Sequence, residues 1–177
     1  MATSDEALLL EFQRGSRQAL EELFARYRGP LCGFFQRRLG CRERADDLTQ
    51  ETFLAVIRAT SRYEPRATVR TYLYAIALKL LAAERRRQDR DTGAQTLREP
   101  EVRAQPDAAL WVRQAMERLD PAAREILMLR EYEQLSYDEI AELLRLPLNT
   151  VRSRLFRSRM ALKGYLEPPA GKEASHA

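Results

Sequence analysis

A run of basic residues near the C-terminal end of the chain has the composition of a nucleic-acid-binding segment. Between Leu143 and Leu166 there are six basic residues and no acidic one. Arginine suits such a segment because its planar guanidinium makes paired hydrogen bonds with phosphate and with guanine. The basic residues are Arg145, Arg152, Arg154, Arg157, Arg159 and Lys163.

An α-helix through this run would have one apolar face and one arginine-rich face. At about 100° per residue, Val151, Leu155 and Leu162 form a buried stripe. A solvated surface does not normally display a phenylalanine, whereas a DNA-reading face can place an apolar group against a thymine methyl. The pattern therefore favours DNA readout over a merely solvated face. The residues opposite the stripe are Arg152, Ser153, Phe156, Arg157 and Met160.

The segment before this helix predicts a helix-turn-helix. Ser136 and Glu139 have the spacing of a capping box, Pro147 interrupts the chain, and Asn149 with Thr150 offers a new N-cap for a helix from Val151 to about Leu162. Two purely structural antiparallel helices would show the same apolar pattern. Charge discriminates between the two interpretations, because residues 131–144 carry five acids and no base, the reverse of the next helix.

A second group of polar residues lies near position 50. Asp47, Gln50 and Glu51 are spaced i, i+3, i+4, which places them on one face of a predicted helix from about Arg44 to Ala59. By spacing alone a solvated helix surface is the simpler explanation. The functional interpretation is an acidic docking surface for a basic partner helix.

The segment that follows mixes arginine with tyrosine, as surfaces that bind single-stranded DNA do. Arginine holds the phosphate backbone while aromatic rings stack on unpaired bases. Tyr72 and Tyr74 sit in an apolar run, where at least one is expected in the core, so Tyr63 in the loop is the better stacking candidate. Arg85, Arg86 and Arg87 close the next helix, as partners of its dipole or as phosphate contacts. The interleaved residues are Arg58, Arg62, Tyr63, Arg66, Arg70, Tyr72 and Tyr74.

Apolar residues recur at helical spacing along most of the chain, and no segment alternates like a convincing strand. The fold class expected is all-α, with two small helical domains joined by a flexible linker, the second domain being the helix-turn-helix. Asp120 and Pro121 predict a helix start in that second domain. Thr3 and Glu6 have capping-box spacing at the first helix. The expected boundaries are 1–90 for the first domain, 91–107 for the linker, 108–167 for the second domain and 168–177 for a disordered tail.

Composition argues against most enzymes. The only histidine, His176, lies in the expected tail, and the seven glycines form no phosphate-binding motif. Cys32 and Cys41 suit neither a zinc site nor a disulfide framework. We therefore expect no catalytic residues, no metal and no cofactor. No membrane-spanning run or signal peptide is evident, so a cytoplasmic protein without membrane insertion is expected.

The charge of the chain is consistent with a DNA partner. Its 177 residues carry a net charge of +4, and of the 30 basic residues 27 are arginine, since only Lys79, Lys163 and Lys172 are lysine. A GC-rich genome would also enrich arginine, so the position of these residues matters more than their number.

With these motifs in place, the chain closely resembles the extracytoplasmic-function (ECF) sigma factors, the two-domain promoter-specificity subunits of bacterial RNA polymerase. In the first domain, residues 45–54 (ADDLTQETFL) resemble the core-polymerase-binding helix of sigma region 2, and residues 72–77 (YLYAIA) resemble its minus-10-reading helix. In the second, residues 119–127 (LDPAAREIL), 136–141 (SYDEIA) and 149–159 (NTVRSRLFRSR) resemble sigma region 4.

The resemblance implies a non-enzymatic initiation factor and a set of partners. It implies that Asp47, Gln50 and Glu51 bind the clamp helices of the largest core RNA polymerase subunit, and that the flap of the second-largest subunit is a further contact. It also implies an anti-sigma factor as negative regulator. The minus-35 element of promoter DNA would meet Thr150, Arg152, Ser153, Arg154, Phe156, Arg157 and Arg159, with Arg154 on phosphate. The minus-10 element would meet Arg62, Tyr63, Arg66, Arg70, Tyr74, Lys79, Arg85 and Arg86.

Other functions fit parts of the same pattern. A dimeric helix-turn-helix repressor would bind a two-fold symmetric site without polymerase. A protein-interaction module would use the basic face for an acidic partner instead of DNA. A nucleic-acid enzyme would need a cluster of acids or metal ligands, which the sequence does not offer.

Overall fold

The structure is a computed structural model that describes residues 3–64, 67–92 and 107–167. These residues form eight α-helices and one 3₁₀-helix, and none of them lies in a β-strand. The helices fall into two compact units, α1–α4 and α5–α8. Their bounds are α1 Asp5–Gln13, α2 Arg17–Leu39, α3 Arg42–Ala59, the 3₁₀-helix Thr60–Arg62, α4 Val69–Thr92, α5 Asp107–Glu117, α6 Pro121–Glu131, α7 Tyr137–Leu144 and α8 Leu148–Leu166.

Side-chain caps begin the first two helices. The Ser4 hydroxyl accepts a hydrogen bond from the backbone N–H of Ala7, so Ser4 caps α1 and the prediction of Thr3 was wrong by one residue. Ser16 caps α2 in the same way, through the N–H of Ala19. Gly40 ends α2 with φ of 69°, a left-handed conformation that glycine adopts without strain.

The core of the first unit is aromatic and aliphatic. Phe34 and Phe35 of α2 are fully buried, and Tyr74 of α4 packs edge-on to Phe34 with ring centroids 5.4 Å apart. Leu48 of α3 is buried with them. Helices α2, α3 and α4 share this core, and the opposite side of α3 lies on the surface.

Helix α4 is longer than the sequence indicated. It was expected to end near Arg87, before a linker, yet it continues to Thr92. Gln88, Asp89 and Arg90 are exposed, and the sequence contains no proline or glycine up to Thr92, so nothing local stops the helix. Residues 93–106 of the expected linker and the expected tail 168–177 lie outside the described residues.

The second unit has the capping signals that the sequence predicts. Asp120 accepts hydrogen bonds from the N–H groups of Ala122 and Ala123, and Pro121 takes the first helical position of α6. At α7, the Ser136 hydroxyl bonds the Glu139 N–H at 3.1 Å and the Glu139 carboxylate bonds the Ser136 N–H at 2.7 Å. The capping box is thus confirmed.

The start of α8 differs from the expected N-cap at Asn149 and Thr150. The carbonyl of Pro147 accepts hydrogen bonds from the N–H groups of Thr150 and Val151, so the helix begins at Leu148. Pro147 has no side-chain hydrogen bond to offer and works through its extended backbone alone. Between α7 and α8, Arg145 adopts a left-handed conformation with φ of 53°.

Within the described part of the chain, no helix is both long enough and apolar enough to cross a membrane.

Candidate nucleic-acid interface and docking surface

Helix α8 has two faces of opposite character. Val151 and Leu155 are fully buried against the rest of its unit, as the apolar stripe predicts. On the other side, Phe156 is 64% exposed and Met160 also lies open to solvent. A large ring this exposed contributes little to folding, so its presence among arginines points to a binding face.

The polar side chains of this face interact mainly with their own helix. Arg157 donates from Nε to the carbonyl of Ser153 at 3.4 Å, and Arg152 donates to the Asn149 side chain at 3.4 Å. The Ser153 hydroxyl donates to the carbonyl of Thr150 at 3.1 Å. Long, exposed bonds of this kind are easily exchanged, so both guanidinium groups can turn toward a nucleic acid.

Arg154 lies on the flank that the helical geometry predicts. It is exposed and, with Arg157, lines a cleft of about 420 Å³ between α8 and the beginning of α6. Asp120 and Tyr165 line the same cleft. Because Arg157 lines the same cleft, it is the helical angle that puts Arg154 beside the outer face, nearer to the buried stripe than Arg157.

Arg159 is paired with residues of its own unit, although its side chain is still 42% exposed. Its guanidinium bonds the Glu131 carboxylate of α6 at 2.7 Å and the Tyr137 hydroxyl of α7 at 3.3 Å. The hydrogen bond that Arg159 donates to Glu131, followed by the one that it donates to Tyr137, raises the pKa of Arg159. Arg159 thus ties α8 to α6 and α7, a contact that residue spacing within α8 could not reveal, and its contact with DNA stays a prediction.

Helix α3 contains the three polar residues predicted to share one of its faces. Asp47 and Gln50 are exposed and Glu51 is half-buried, and helical geometry puts all three away from the buried stripe of Ala45, Thr49 and Val56. Arg44, one turn earlier, lies between these acids and the core. Its Nη1 is 3.3 Å from the Glu51 carboxylate and 3.5 Å from that of Asp47.

A buried carboxylate holds Arg44 from the opposite side. Nη2 of Arg44 donates to Glu84 of α4 at 2.8 Å, and the Glu84 side chain is only 8% exposed. The hydrogen bond from Arg44 lowers the pKa of Glu84, and the same bond raises the pKa of Arg44. The ion pair joins the α3 face to the adjacent helix.

Two exposed apolar residues extend the acidic face, and sequence reasoning missed them. Leu54 is 47% exposed and Ile57 is 43% exposed. Leu54 follows Gln50 and Glu51 by four and three residues, so it lies on their side of α3. The signal available in the sequence was the presence of apolar residues on the polar side of an amphipathic helix. Together with the acidic residues, Leu54 and Ile57 form a mixed surface typical of protein docking.

The structure corrects two of the aromatic DNA contacts expected at the minus-10 element. Tyr63 is only 7% exposed and Tyr74 only 2%, so neither ring can stack on a base. The ring of Tyr63 lies 5.3 Å from that of Tyr72, and burial raises the pKa of both hydroxyls. The side-chain amide of Gln13 in α1 donates to the carbonyl of Tyr63, which holds this loop against the core.

The basic residues expected near the minus-10 element are distributed unevenly. Lys79, Arg85 and Arg86 of α4 are exposed, whereas Arg70 is half-buried at its start. Lys79 and Arg86 are seven residues apart, two helical turns, and therefore share a face. Only the backbone of Arg62 is described, and Arg66 lies outside the described residues.

Ala82 and Ala83 are exposed between the two basic residues of that face. Their small side chains leave room for the backbone of a nucleic-acid strand to approach α4 closely.

Neither cysteine adds a further site. Both are free thiols, and Cys32 donates a hydrogen bond to the Asp46 carboxylate at 3.3 Å. Burial, followed by this hydrogen bond, raises the pKa of the Cys32 thiol, which makes it less reactive. Among the described residues, no group of three or more His, Cys, Asp or Glu side chains could hold a metal ion.

Comparisons with known proteins identify the class to which these two surfaces belong. The family model described as sigma-70 region 2 matches residues 23–91, and that described as sigma-70, region 4 matches residues 109–162. The chain is 31% identical to the RNA polymerase sigma-H factor of Pseudomonas aeruginosa, over 93% of this chain and 94% of that one. It is 28% identical to the ECF RNA polymerase sigma-E factor of Haemophilus influenzae, over 93% and 96%.

Solved structures agree with this fold. Superposition on CnrH, solved with the cytosolic domain of CnrY, gives a TM-score of 0.68 at 24% identity over 93% of this chain and 97% of CnrH. The sigma factor RpoE of Bartonella quintana, solved with the anti-sigma factor NepR, gives 0.69 at 19% identity over 82% and 95%.

The fold and the matched regions define a two-domain sigma factor of the sigma-70 family. The chain belongs to the ECF sigma factors, whose function is promoter recognition in transcription initiation. Sigma factors are regulatory initiation factors and do not catalyse a reaction of their own.

Proposed function

We propose that the outer face of α8 reads the minus-35 element in the major groove. The observation that carries this proposal is Phe156, exposed at the centre of a face formed with Arg152, Ser153 and Arg157. Arg152 and Arg157 would recognise guanine, and Phe156 would contact a thymine methyl. Thr150 and Arg154 would contact the phosphate backbone, which positions the helix without reading sequence.

The acidic face of α3 would dock on core RNA polymerase. Asp47, Gln50 and Glu51 offer carboxylate and amide oxygens to basic side chains of the clamp helices, and Leu54 and Ile57 offer apolar area at the same place. The flap of the second-largest polymerase subunit would be a further contact of the protein.

Helix α4 would hold the minus-10 region. Lys79, Arg85 and Arg86 supply exposed positive charge for the phosphate backbone, and Arg62, Arg66 and Arg70 precede them in the chain. Trapping unstacked bases costs a few kcal/mol per base, which contacts with the protein would offset, so DNA opening would need no nucleotide hydrolysis by the factor. Since Tyr63 and Tyr74 are buried, the half-buried Tyr72 is the remaining ring of this group for stacking.

The proposed domains are 1–90 for polymerase and minus-10 binding and 108–167 for minus-35 binding, with a linker at 91–107 and a tail at 168–177. A tether raises the effective concentration of the second domain once the first is bound, provided that it spans the gap. Core polymerase would set that gap. Because the proposed partners are bacterial core polymerase and chromosomal DNA, the proposed site of action is the cytoplasm.

An anti-sigma factor is the proposed regulator. Two solved structures with this fold are complexes in which the sigma factor is bound by another protein, described as the cytosolic domain of CnrY and the anti-sigma factor NepR. An amphipathic docking surface such as the α3 face, which would be free before polymerase binds, is a suitable target for such a regulator.

The test is run-off transcription from a genomic fragment library with bacterial core polymerase, with and without the protein. We expect new transcripts that share two spaced upstream elements. Gln50→Ala with Glu51→Ala should abolish them, and Phe156→Ala should reduce them. Gln18→Ala with Glu21→Ala is the matched control, because it removes the same residue types from an exposed part of α2.

Two outcomes would contradict the proposal. Binding of the protein alone to two-fold symmetric sites, without any dependent transcript, would establish a repressor instead. Unchanged transcription in the Phe156→Ala and Arg157→Ala variants would show that the basic face serves a protein partner.

A further inference from the structure

Arg44 connects one buried and two surface carboxylates. It lies in the first turn of α3, and its guanidinium reaches Glu84 of α4 and also Asp47 and Glu51 of its own helix. Its side chain is 26% exposed, so it lies at the boundary between the core and the acidic face.

The inward and outward contacts differ in length. The bond to Glu84 is 2.8 Å, a good charge-assisted hydrogen bond to a carboxylate that is nearly excluded from solvent. The contacts to Glu51 and Asp47 are 3.3 and 3.5 Å. Arg44 is therefore anchored on α4 and holds the surface acids only loosely.

Loose contacts leave the surface acids able to bind another partner. A carboxylate has two oxygens and about four acceptor positions, of which Arg44 occupies a small part. Asp47 and Glu51 stand at i, i+4, where two negative charges repel each other. A positive charge one turn before them relieves that repulsion and restricts their rotamers without covering them.

The hydrogen-bonding capacity of the Arg44 guanidinium is not fully used. Its Nε is buried and has no hydrogen-bond partner, a condition that calls for an explanation in a native structure. The guanidinium is turned so that its two Nη atoms reach α4 and the surface acids, and Nε is left unsatisfied as a result. This orientation keeps the contacts of Arg44 with the carboxylates, while its own Nε lacks a hydrogen-bond partner.

We propose that Arg44, anchored by Glu84, is a positioning residue of the polymerase-docking face, which holds Asp47 and Glu51 in the geometry that core polymerase binds. This inference rests on the proposed function of the α3 face. Fixing long side chains before binding reduces the entropy that is lost on association, so the arrangement strengthens docking without a direct contact by Arg44.

The first test is Arg44→Lys in the full-length protein, with the dissociation constant for bacterial core RNA polymerase as the measurement. A lysine keeps the charge beside Glu84 but has a single head group that cannot reach both faces at once. We expect core affinity to fall by about tenfold, the order of effect of releasing two side chains. Arg26→Lys is the matched control, because Arg26 also bridges two acids, Asp5 and Glu22, on a different surface of the same unit.

A double-mutant cycle separates positioning from a purely structural role. In a background of Asp47→Asn with Glu51→Gln, Arg44 has no carboxylates left to position, so Arg44→Lys should change core affinity by less than about twofold. If the effect of Arg44→Lys is the same in both backgrounds, Arg44 acts through the fold and the proposal is wrong.

A second variant removes the ion pair while keeping the core packed. Arg44→Met with Glu84→Met replaces both charges by apolar side chains, a change that usually preserves folding. We expect a melting temperature close to that of the parent and weaker core binding. Unchanged or tighter core binding in this variant, or in Arg44→Lys, would overturn the proposal.

Different results would refute the docking role of the α3 face and the positioning role of Arg44. If Gln50→Ala with Glu51→Ala leaves core affinity intact, the docking face itself is misplaced. If that variant loses core binding while Arg44→Lys retains it, the docking face stands and only the role of Arg44 is refuted.

Discussion

At the scale of single residues, position around the helix and pairing separate the arginines of α8 into three groups. Arg152 and Arg157 lie on the outer face with Phe156, Arg154 lies on its flank, and Arg159 is paired with Glu131. All four are arginines within eight residues of one another, so composition alone would treat them alike. They differ in the direction in which each side chain leaves the helix and in the side chains of neighbouring helices that each one contacts.

We expect Arg157→Ala and Arg154→Ala to affect promoters in different ways. Loss of Arg157 should cost about 1 to 3 kcal/mol at one base pair and relax specificity there, because a base-edge contact is removed. Loss of Arg154 should weaken all promoters by a similar factor. A panel of single-base promoter variants, assayed by transcription, measures both. Uniform loss in the Arg157→Ala variant would contradict its assignment to a base.

A second residue-scale prediction concerns backbone conformation. Gln134 and Arg145 have φ of 54° and 53°, a left-handed conformation that is unfavourable for residues with a Cβ. We expect Gln134→Gly and Arg145→Gly each to stabilise the protein by about 0.5 to 1 kcal/mol. Thermal unfolding is the measurement. Glu142→Gly, at an exposed helical position, is the control and should destabilise by about 1 kcal/mol.

At the scale of elements, α3 combines a buried side, which packs in the core, with an exposed side proposed to dock on polymerase. Its buried side carries Leu48 and Phe53, and its exposed side carries Leu54 and Ile57 among polar groups. The Arg44 to Glu84 ion pair joins it to α4, the helix proposed to hold the minus-10 region. A helix that faces a partner on one side and a neighbouring DNA-binding helix on the other can align the two.

The Glu84 pairing predicts a pH dependence of stability. Because Arg44 lowers the pKa of Glu84 in the folded state, the contribution of Glu84 is complete above its ordinary value of 4.5 and is lost as the pH falls through the lower folded value. Glu84→Gln should reduce the free energy of unfolding by about 2 kcal/mol at neutral pH and by less in acid.

Urea unfolding between neutral pH and about pH 3 measures this difference. Glu22→Gln, an exposed acid of α2 paired with Arg26, is the control and should show a much smaller loss at every pH. A difference between Glu84→Gln and the parent that does not shrink in acid would contradict the assignment.

At the scale of the whole molecule, the two compact units carry separate proposed binding faces. The first has the α3 docking face and the basic face of α4, and the second has the outer face of α8. Each contact would be weak by itself, and joining them in one chain makes the second binding event intramolecular. The same division explains why the two sigma-70 regions match separate parts of the sequence.

Lengthening the proposed linker should change transcription little. Doubling the length of a flexible tether costs only about 0.6 kcal/mol in closure entropy. We therefore expect an insertion of about ten Gly and Ser residues between positions 93 and 106 to lower transcript yield by less than about threefold. The preferred spacing of the two promoter elements should stay the same, because core polymerase sets it. A shift in that spacing, measured on promoters with altered spacers, would show that the linker sets the distance.

The sequence alone determined the features that depend on residues within one helix. The all-α class, the capping box at Ser136, the N-cap at Asp120 and the two faces of α8 follow from local spacing and hydrogen bonding. The ECF sigma-factor family was identified from motifs of the same local kind, and the comparisons confirm it.

Only the tertiary structure decided which side chains are covered and which charges are paired. Tyr63 is buried beside Tyr72 and is held by Gln13, 50 residues away, and Arg159 reaches Glu131, 28 residues away. Arg44 finds Glu84 across a separation of 40 residues. Contacts between distant residues depend on how helices pack, and local periodicity carries no information about packing partners.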